Sequence, residues 1–129
     1  MSAAYALCDV VVSASTDPEG FGRVIVEAQA MGRPVVATDH GGARETIVPG
    51  VTGWLTPARD GAALAAAIGA ALALDPAARD ALGRRASAHV AANFSRETMC
   101  ASTIAVYEEL LFPVQLLGRA EPEPLAVVA

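Results

Sequence analysis

The feature that most constrains the fold is a pair of short valine-rich runs on either side of a helix-length segment. Residues 9–13 and 34–38 are mostly apolar and β-branched, which predicts two short strands that are buried on both faces. Between them, residues 21–31 predict a helix that Gly32 ends. A strand, a helix and a second strand in this order form a right-handed crossover, so the sequence predicts a parallel sheet.

The remaining segments predict further helices and one weaker strand. Residues 1–7 are typical of the last turns of a helix, residues 43–47 of a short helix after a turn, and residues 54–55 of a short strand. Three longer helices are predicted after them. They are residues 61–74 capped by Asp60, residues 77–93 after Asp75-Pro76 with the apolar stripe Leu82, Ala86 and Val90, and residues 96–111 capped by Ser95.

The number of strands limits the fold. Two clear strands and a weak one are fewer than the roughly five or six of a complete doubly wound domain. The predicted fold class is therefore α/β, a partial Rossmann-like parallel sheet followed by C-terminal helices. Residues 1–112 form the predicted domain, which we expect to be the second half of a doubly wound unit. Residues 113–129, with the run Glu-Pro-Glu-Pro, predict a flexible tail.

Charge excludes several classes of function. The net charge is −5, all nine basic residues are arginine, and lysine is absent. The chain therefore lacks the basic surface that nucleic acids require, and it shows no basic membrane-binding helix. An anionic ligand would have to be held by local dipoles and arginine rather than by the field of the whole protein.

Cysteine usage and the N-terminal residues bear on the cellular setting. Cys8 and Cys100 are far apart in the sequence and have no metal-binding spacing. We therefore predict no metal site, no disulfide and a reduced, cytoplasmic environment. No charged leader precedes a long apolar run, so neither a signal peptide nor a membrane span is predicted.

Two loops follow the predicted strands, at residues 14–22 and 39–42, and ligands of open parallel sheets bind at this carboxyl edge. In the first loop, Gly20 and Gly22 flank Phe21 where a helix is predicted to begin. Free backbone N–H groups and the positive end of the helix dipole form an anion site there. Glycine allows a diphosphate to approach the backbone closely, and Arg23 can add a charge-assisted hydrogen bond if it points inward.

Two carboxylates flank this predicted anion site. Glu19 would be repelled by a diphosphate unless it faced something else, and sugar hydroxyls are its natural partners. Glu27, on the predicted helix, could accept both hydroxyl groups of a ribose. Spacing alone favours a simpler interpretation, in which Arg23 and Glu27 form a surface ion pair four residues apart.

The second loop leaves its own alternatives open. Gly41 and Gly42 could let a ligand approach, or they could only form a turn and the start of a helix. His40 could contact a sugar or phosphate, although a single histidine in a loop more often faces solvent. Glu45 could cap the short helix or pair with Arg44.

The motif Glu19-Gly-Phe-Gly-Arg-Val-Ile-Val-Glu27 resembles the E-x7-E signature of the family 4 retaining glycosyltransferases, which have the GT-B fold. Neighbouring blocks agree in order. Cys8-Asp-Val-Val-Val-Ser resembles the preceding strand, and residues 27–38 resemble the family's E-A-x-A-x-G-x-P-V-V-A-T. Residues 41–45 and 50–55 are similar to G-G-x-x-E and G-x-x-G-x-L, and residues 60–111 resemble the closing helices. The resemblance covers about residues 4–111.

The resemblance implies a domain that binds a nucleotide-diphosphate sugar, whose sugar the family transfers to an acceptor with retention of configuration. Glu19 would be the catalytic residue and hydrogen-bond the donor hexose. The backbone at Gly20, Phe21 and Gly22, with Arg23, would hold the diphosphate, and Glu27 would bind the ribose. The donor substrate would be the only nucleotide needed, with no cofactor and no metal, because the protein supplies the positive field.

The same resemblance implies what the chain does not contain. Family members carry an arginine and a lysine upstream that stabilise the leaving diphosphate, and an N-terminal domain that binds the acceptor. We therefore expect a fragment with little activity alone, which needs that domain or a partner chain. The full-length enzyme would be cytoplasmic, with peripheral binding to the inner face of the membrane as an option. Sugar, base and acceptor are not defined by the sequence.

Two other hypotheses remain at this stage. A non-catalytic module would act by association, because half a sheet exposes an edge strand and apolar faces that favour a homodimer or a partner chain. A dinucleotide-binding oxidoreductase is disfavoured, because Ile25 stands where the third glycine of that fingerprint is required. Asp39, 17 residues beyond Gly22, is only suggestive of its acidic residue.

Overall fold

The computed structural model describes residues 2–111, in two compact units divided between Ser95 and Arg96. The first unit has eight of the described elements, and the second has one helix. In chain order they are α1 Ser2–Leu7, β1 Val11–Ser13, α2 Arg23–Ala30, β2 Val35–Thr38, α3 Ala43–Thr46, β3 Trp54–Thr56, α4 Gly61–Leu72, α5 Pro76–Asn93 and, in the second unit, α6 Arg96–Leu111.

The three described strands form one parallel sheet in the order β1-β2-β3. Val11 pairs with Val35, and Val36 pairs with Trp54. Helix α2 is the crossover between β1 and β2, and α4 packs against β2 and β3. The predicted α/β class and the parallel sheet are confirmed.

The expectation of burial on both faces is correct for β2 and wrong for β1. All four residues of β2 are buried, because this strand is central among the described ones. Strand β1 is shorter than predicted and, among the described strands, pairs with β2 alone, and its Val12 is 40% exposed. A run of valines shows that a strand is apolar, but the strand's position in the sheet decides whether both of its faces are covered.

Helix α2 supplies the centre of the core. Ile25 and Ala28 are buried against Val11 and Val35 of the sheet, and Tyr5 of α1 packs into the same cluster. Cys8 packs at its margin and its Sγ–H donates to the Ala4 carbonyl at 3.1 Å. Cys8 thus packs as a small apolar side chain beside the core.

The opposite end of α2 is tied to the turn before β3 by a buried amide. Gln29 is fully buried, and its Nε2 donates to Thr52 Oγ1 at 3.2 Å. The same hydroxyl oxygen accepts the backbone N–H of Val48 at 2.9 Å. This pairing offsets part of the cost of burying a polar side chain in the core.

The predicted helix caps and breaks are largely confirmed. Asp60 accepts the Ala63 N–H at 2.9 Å at the start of α4, and Asp75 accepts the Ala78 N–H at 2.8 Å at the start of α5. Helix α5 begins at Pro76, one residue earlier than predicted, because proline suits the first helical position. Helix α4 ends at Leu72, two residues earlier than predicted.

The apolar stripe predicted on α5 is confirmed, and it packs on α2 through a pair of glycines. Leu82, Ala86 and Val90 are buried, as is Gly83 between them. A Cβ added to Gly83 would lie 2.6 Å from the Gly32 carbonyl oxygen. Gly32 itself has a φ of 66° and ends α2 as predicted.

In the second unit, α6 follows Ser95, as the sequence predicts, and Thr103 donates to the Met99 carbonyl at 2.8 Å. The predicted tail, residues 113–129, lies outside the described residues. Among the described helices none is by itself long and apolar enough to cross a membrane, and α4 with the α5–α6 segment passes that test only as a sharply bent pair.

Replacing Gly83 with alanine is expected to lower the free energy of unfolding by about 1–3 kcal/mol, because the added methyl group meets a backbone carbonyl in a packed interface. Urea denaturation followed by circular dichroism measures this. Gly69→Ala is the matched control. It lies on α4 with open space around an added Cβ, and helix propensity predicts a gain of up to about 1 kcal/mol. Equal unfolding free energies for the two variants would contradict the close packing of Gly83 against Gly32.

Candidate functional site

The two predicted ligand loops meet at the carboxyl edge of the sheet. The Gly42 N–H donates to the Glu19 carbonyl at 2.9 Å. A Cβ on Gly42 would lie 2.7 Å from Phe21 Cα, and a Cβ on Gly41 would clash with the Glu19 carbonyl oxygen. Both glycines are therefore explained by close packing of one loop backbone on the other, a reason that the sequence analysis did not offer beside ligand approach and a simple turn.

Helix α2 begins two residues later than predicted, at Arg23. Gly22 precedes it in the left-handed region, with φ 73° and ψ 58°, and no side chain caps the first turn. The Ile25 N–H bonds to the Gly22 carbonyl at 3.0 Å. The amino end of α2 thus presents backbone N–H groups and the positive end of its dipole without a competing protein side chain.

Gly20 differs from the other glycines of these loops. Nothing in the described structure lies within 4 Å of a Cβ added there, and its φ is not in the left-handed region. Neither packing nor backbone conformation requires glycine at this position. The backbone at Gly20 is therefore open to solvent on the side where a Cβ would stand.

Phe21 points away from the core and toward the end of α5. Its ring packs edge-on against Phe94 at a centroid distance of 5.7 Å, and Phe94 packs similarly on His89 at 5.5 Å. Such aromatic pairs are worth about 0.5–1.5 kcal/mol beyond area burial. The pairing attaches the glycine loop to α5, a contact that sequence reasoning did not identify.

The carboxylate of Glu19 is exposed and held from one side. Its Oε1 accepts the Ser15 hydroxyl at 3.1 Å. Its Oε2 lies near Gly22, 3.4 Å from where a Cβ on that glycine would be, and accepts no hydrogen bond from any described residue. One carboxylate oxygen beside the amino end of α2 is therefore open to a hydroxyl donor.

Glu27 has two partners within the chain. Arg23 Nη2 lies 3.0 Å from Oε1, with the arginine side chain 84% and the glutamate side chain 34% exposed. The buried Tyr5 hydroxyl donates to Oε2 at 3.1 Å. The surface ion pair expected from spacing is present, and Arg23 lies on Glu27 in this structure rather than pointing inward.

The solvent-facing interpretation of His40 is wrong. Its Nε2 lies 2.8 Å from the Ser15 carbonyl and 3.1 Å from Thr38 Oγ1, and the ring is partly buried. Thr38 Oγ1 also donates to the Ser15 carbonyl at 2.8 Å. The useful sequence signal is that positions two apart at the end of a strand share one face.

Of the two alternatives for Glu45, pairing with Arg44 is not the one that the structure has. Arg44 Nε donates to Asp39 Oδ1 at 2.7 Å, and its Nη2 donates to the Asp39 carbonyl at 3.0 Å. Glu45 is exposed in the first turn of α3. Arg44 therefore closes the turn after β2 rather than pairing along its own helix.

A wide groove lies away from the glycine loops. It has a volume of about 660 Å³ and lies between α5 and the C-terminal end of α2, which is at the amino edge of the sheet. A smaller pocket of about 200 Å³ opens at the carboxyl edge, beside Thr16, Thr38 and Arg59. The functional site is marked by chemistry at the carboxyl edge rather than by groove size.

The fold and these loops define half of a doubly wound α/β domain whose helix α2 begins without a side-chain cap. Residues 1–73, more than half of the chain, match the family model described as Glycosyl transferases group 1, and the chain belongs to this family. The sheet and its loops are those of the second half of a GT-B C-terminal domain, which confirms the predicted fold class.

Similar proteins agree with this assignment. A lipopolysaccharide core biosynthesis mannosyltransferase from Rhizobium leguminosarum is 46% identical over 93 residues, which are 72% of this chain and 26% of the relative. A solved glycosyltransferase from Rickettsia africae superposes with a TM-score of 0.80 at 36% identity, over 84% of this chain and 29% of its own. Anabaena HepE, solved with UDP and glucose, has a TM-score of 0.71 at 38% identity, over 79% and 28%. The chain thus spans about a quarter of the length of its relatives.

Burial and the hydrogen bond to Glu27 both raise the pKa of Tyr5 above the usual value of 10.0. The folded protein therefore holds the phenol proton more tightly than the unfolded chain. Stability from this group is complete below pH 10 and is lost as pH rises toward the folded pKa. We expect unfolding free energy to fall with rising pH in this range, and Tyr5→Phe to remove part of that slope.

Urea denaturation at several pH values from 8 upward measures the slope. Tyr5→Phe should also cost about 1 kcal/mol at pH 8, where the hydrogen bond to Glu27 is intact in the wild type. The exposed Tyr107 provides the matched control, Tyr107→Phe. An identical pH slope in Tyr5→Phe and the wild type would contradict the contact.

Proposed function

We propose that this chain is the donor-binding part of a family 4 retaining glycosyltransferase, and that Glu19 to Glu27 form its E-x7-E motif. The observation that carries the proposal is the uncapped amino end of α2, where Gly20 is required by no protein contact and an exposed Glu19 stands beside it. The solved relative with UDP and glucose supports a nucleotide-sugar as ligand. Transfer of the sugar with retention is part of the same proposal.

The diphosphate binds at the amino end of α2 in this proposal. Backbone N–H groups at Phe21 and Gly22 point to it, and Gly20 allows its close approach. The helix dipole and arginine supply positive charge in a chain whose net charge is −5. No metal is then needed to offset the diphosphate, and the donor requires no further cofactor.

Glu27 exchanges its partners when the donor binds. Ribose hydroxyls donate to a carboxylate, so they replace Arg23, whose exposed ion pair is worth only about 0–1 kcal/mol. Tyr5 keeps its hydrogen bond and holds the carboxylate in place. The released Arg23 is one helical residue beyond Gly22 and becomes free to reach the diphosphate.

Glu19 is the catalytic residue of the proposal. Its open Oε2 accepts hydroxyl groups of the donor hexose beside the diphosphate, while Ser15 retains Oε1. A carboxylate next to a diphosphate is repelled by it. Hydrogen bonds from the sugar hydroxyl groups to the carboxylate offset this repulsion. The identity of the sugar is open, because one relative is a mannosyltransferase and another was solved with glucose.

The acceptor site and part of the catalytic machinery lie outside these 129 residues in this proposal. An N-terminal domain or a partner chain supplies the acceptor site, and upstream residues of the same domain supply the cations that stabilise the leaving diphosphate. These 129 residues alone then transfer little sugar. The two free cysteines fit a reduced, cytoplasmic setting. Peripheral binding at the inner face of the membrane stays a prediction.

Glu27→Ala is expected to weaken nucleoside diphosphate binding about tenfold or more, because hydrogen bonds to a charged group contribute about 1.5–3 kcal/mol. Isothermal titration calorimetry with UDP, GDP and ADP, on protein expressed from its complete gene, identifies the base and measures the loss. The matched control is Glu108→Ala, an exposed glutamate on α6. Unchanged affinity in Glu27→Ala would remove the ribose role.

A second candidate is a non-catalytic association module. Strand β1 has a free edge among the described strands, its Val12 is 40% exposed, and Leu7 at the end of α1 is exposed as well. Such an edge accepts a further strand from a second copy or another chain. Light scattering discriminates the two, because association predicts a dimer, and a monodisperse monomer that binds nucleotide favours the transferase.

A further inference from the structure

The carbonyl oxygen of Ser15 receives two side-chain donors from the end of β2. Thr38 Oγ1 and His40 Nε2 each lie 2.8 Å from it. Because a carbonyl oxygen can only accept, His40 carries a proton on Nε2. Its Nδ1 is buried and has no hydrogen-bond partner among the described residues.

The same serine connects this histidine to Glu19. Ser15 Oγ donates to Glu19 Oε1 at 3.1 Å, and the Gly42 N–H holds the Glu19 carbonyl at 2.9 Å. The loop that follows β2 therefore holds Glu19 at two points. Gly42 holds the Glu19 backbone directly. His40 acts on the Glu19 carboxylate indirectly, through Ser15. Without these contacts, an exposed glutamate in a loop would occupy several rotamers.

The space between these groups is small. A cavity of about 10 Å³ separates the two loops, which is room for about one water molecule at most. It is lined by Ser13, Ser15, Glu19, Ile25, Thr38, His40 and Ala43. The His40 ring has little freedom to turn there, so its Nε2–H is a fixed donor.

We propose that His40 is a positioning residue of the donor site, which acts on Glu19 through Ser15. Its Nε2–H fixes the Ser15 backbone, and Ser15 Oγ then directs the Glu19 carboxylate toward the donor sugar. His40 does not touch the donor itself. The inference rests on the proposed function, because it assigns a purpose to the orientation of Glu19. Preorganisation of this kind lowers the entropy lost when a ligand binds.

The test separates the sugar from the nucleotide. Affinities for UDP and UDP-glucose, and for GDP and GDP-mannose, are measured by calorimetry on protein expressed from its complete gene. The informative quantity is the ratio of the nucleotide-sugar affinity to the nucleoside diphosphate affinity. Glu19 contacts only the sugar in the proposal, so disturbing its orientation lowers this ratio and leaves the nucleoside diphosphate affinity unchanged.

His40→Leu is expected to lower the ratio about three- to tenfold, the size of one lost hydrogen bond. His40→Gln should retain most of the ratio, since its amide N–H can replace Nε2–H as donor. Ser15→Ala removes the hydroxyl that holds Glu19 and should lower the ratio as His40→Leu does. Ser87→Ala, on α5, is the matched serine control and should leave both affinities unchanged.

Equal losses of both affinities in His40→Leu, or an unchanged ratio, would overturn the inference, and thermal melting checks that each variant folds. If His40→Leu does not fold, Ser15→Ala decides, because it leaves the ring and the Ser15 carbonyl in place. If Ser15→Ala then leaves the ratio of nucleotide-sugar to nucleoside diphosphate affinity unchanged, the positioning role of His40 is overturned. A wild type that binds no nucleotide would remove the proposed function as well. Normal binding that Glu27→Ala weakens, with an unchanged ratio in both His40 and Ser15 variants, removes only the positioning role.

Discussion

The contact between the two loops at the carboxyl edge is the constraint on which the rest of the site depends. The Gly42 N–H reaches the Glu19 carbonyl only because Gly41 and Gly42 lack side chains that would clash with the facing backbone. Any other residue at these positions would push the loops apart. The start of α2 would then move relative to β2, and the position of Glu19 with it.

The electrostatics of the site are set by the amino end of α2, which the contact between the two loops leaves exposed. Gly22 precedes α2 without a side-chain cap, so no protein side chain hydrogen-bonds the free N–H groups at the positive end of the helix dipole. Glu19 stands at that end but is held by Ser15 on one oxygen, which keeps the carboxylate from capping the helix itself. In a chain with an overall negative charge, such a local positive end is the means by which an anionic ligand can be attracted.

Sequence alone was sufficient for features that are local and periodic. The parallel β1 and β2, the stripe on α5 and the Asp60 cap follow from spacing and from a single side chain. The exposure of Val12 could not be predicted, because it depends on which strand lies at the edge and where α4 packs. The start of α2 at Arg23 depends on the conformation of Gly22, which a glycine permits without requiring.

The candidate site shows the same division between near and distant contacts. The E-x7-E pattern placed Glu19, Gly22 and Glu27 around one helix start, and the ion pair of Arg23 follows from a spacing of four. The partners of these residues lie far away in the sequence, and no spacing or motif predicts them. Tyr5 is 22 residues before Glu27, and His40 is 25 residues after Ser15. Each pair is brought together by the sheet between them.

Tyr5 also shows why the segment before the motif matters to the site. Its ring is buried in the core that α1 shares with Ile25 and Val35, so the hydroxyl reaches Glu27 from a fixed position. Arg33 Nη2 donates to the Ala6 carbonyl at 2.9 Å and holds the end of α1 from the far side of α2. The Glu27 carboxylate therefore has two partners of different strength. The hydrogen bond from the buried Tyr5 is shielded from solvent, and the ion pair with the exposed Arg23 is weak. If Glu27 binds ribose as proposed, the hydroxyl groups can replace Arg23 without loss of the orientation that the phenol maintains.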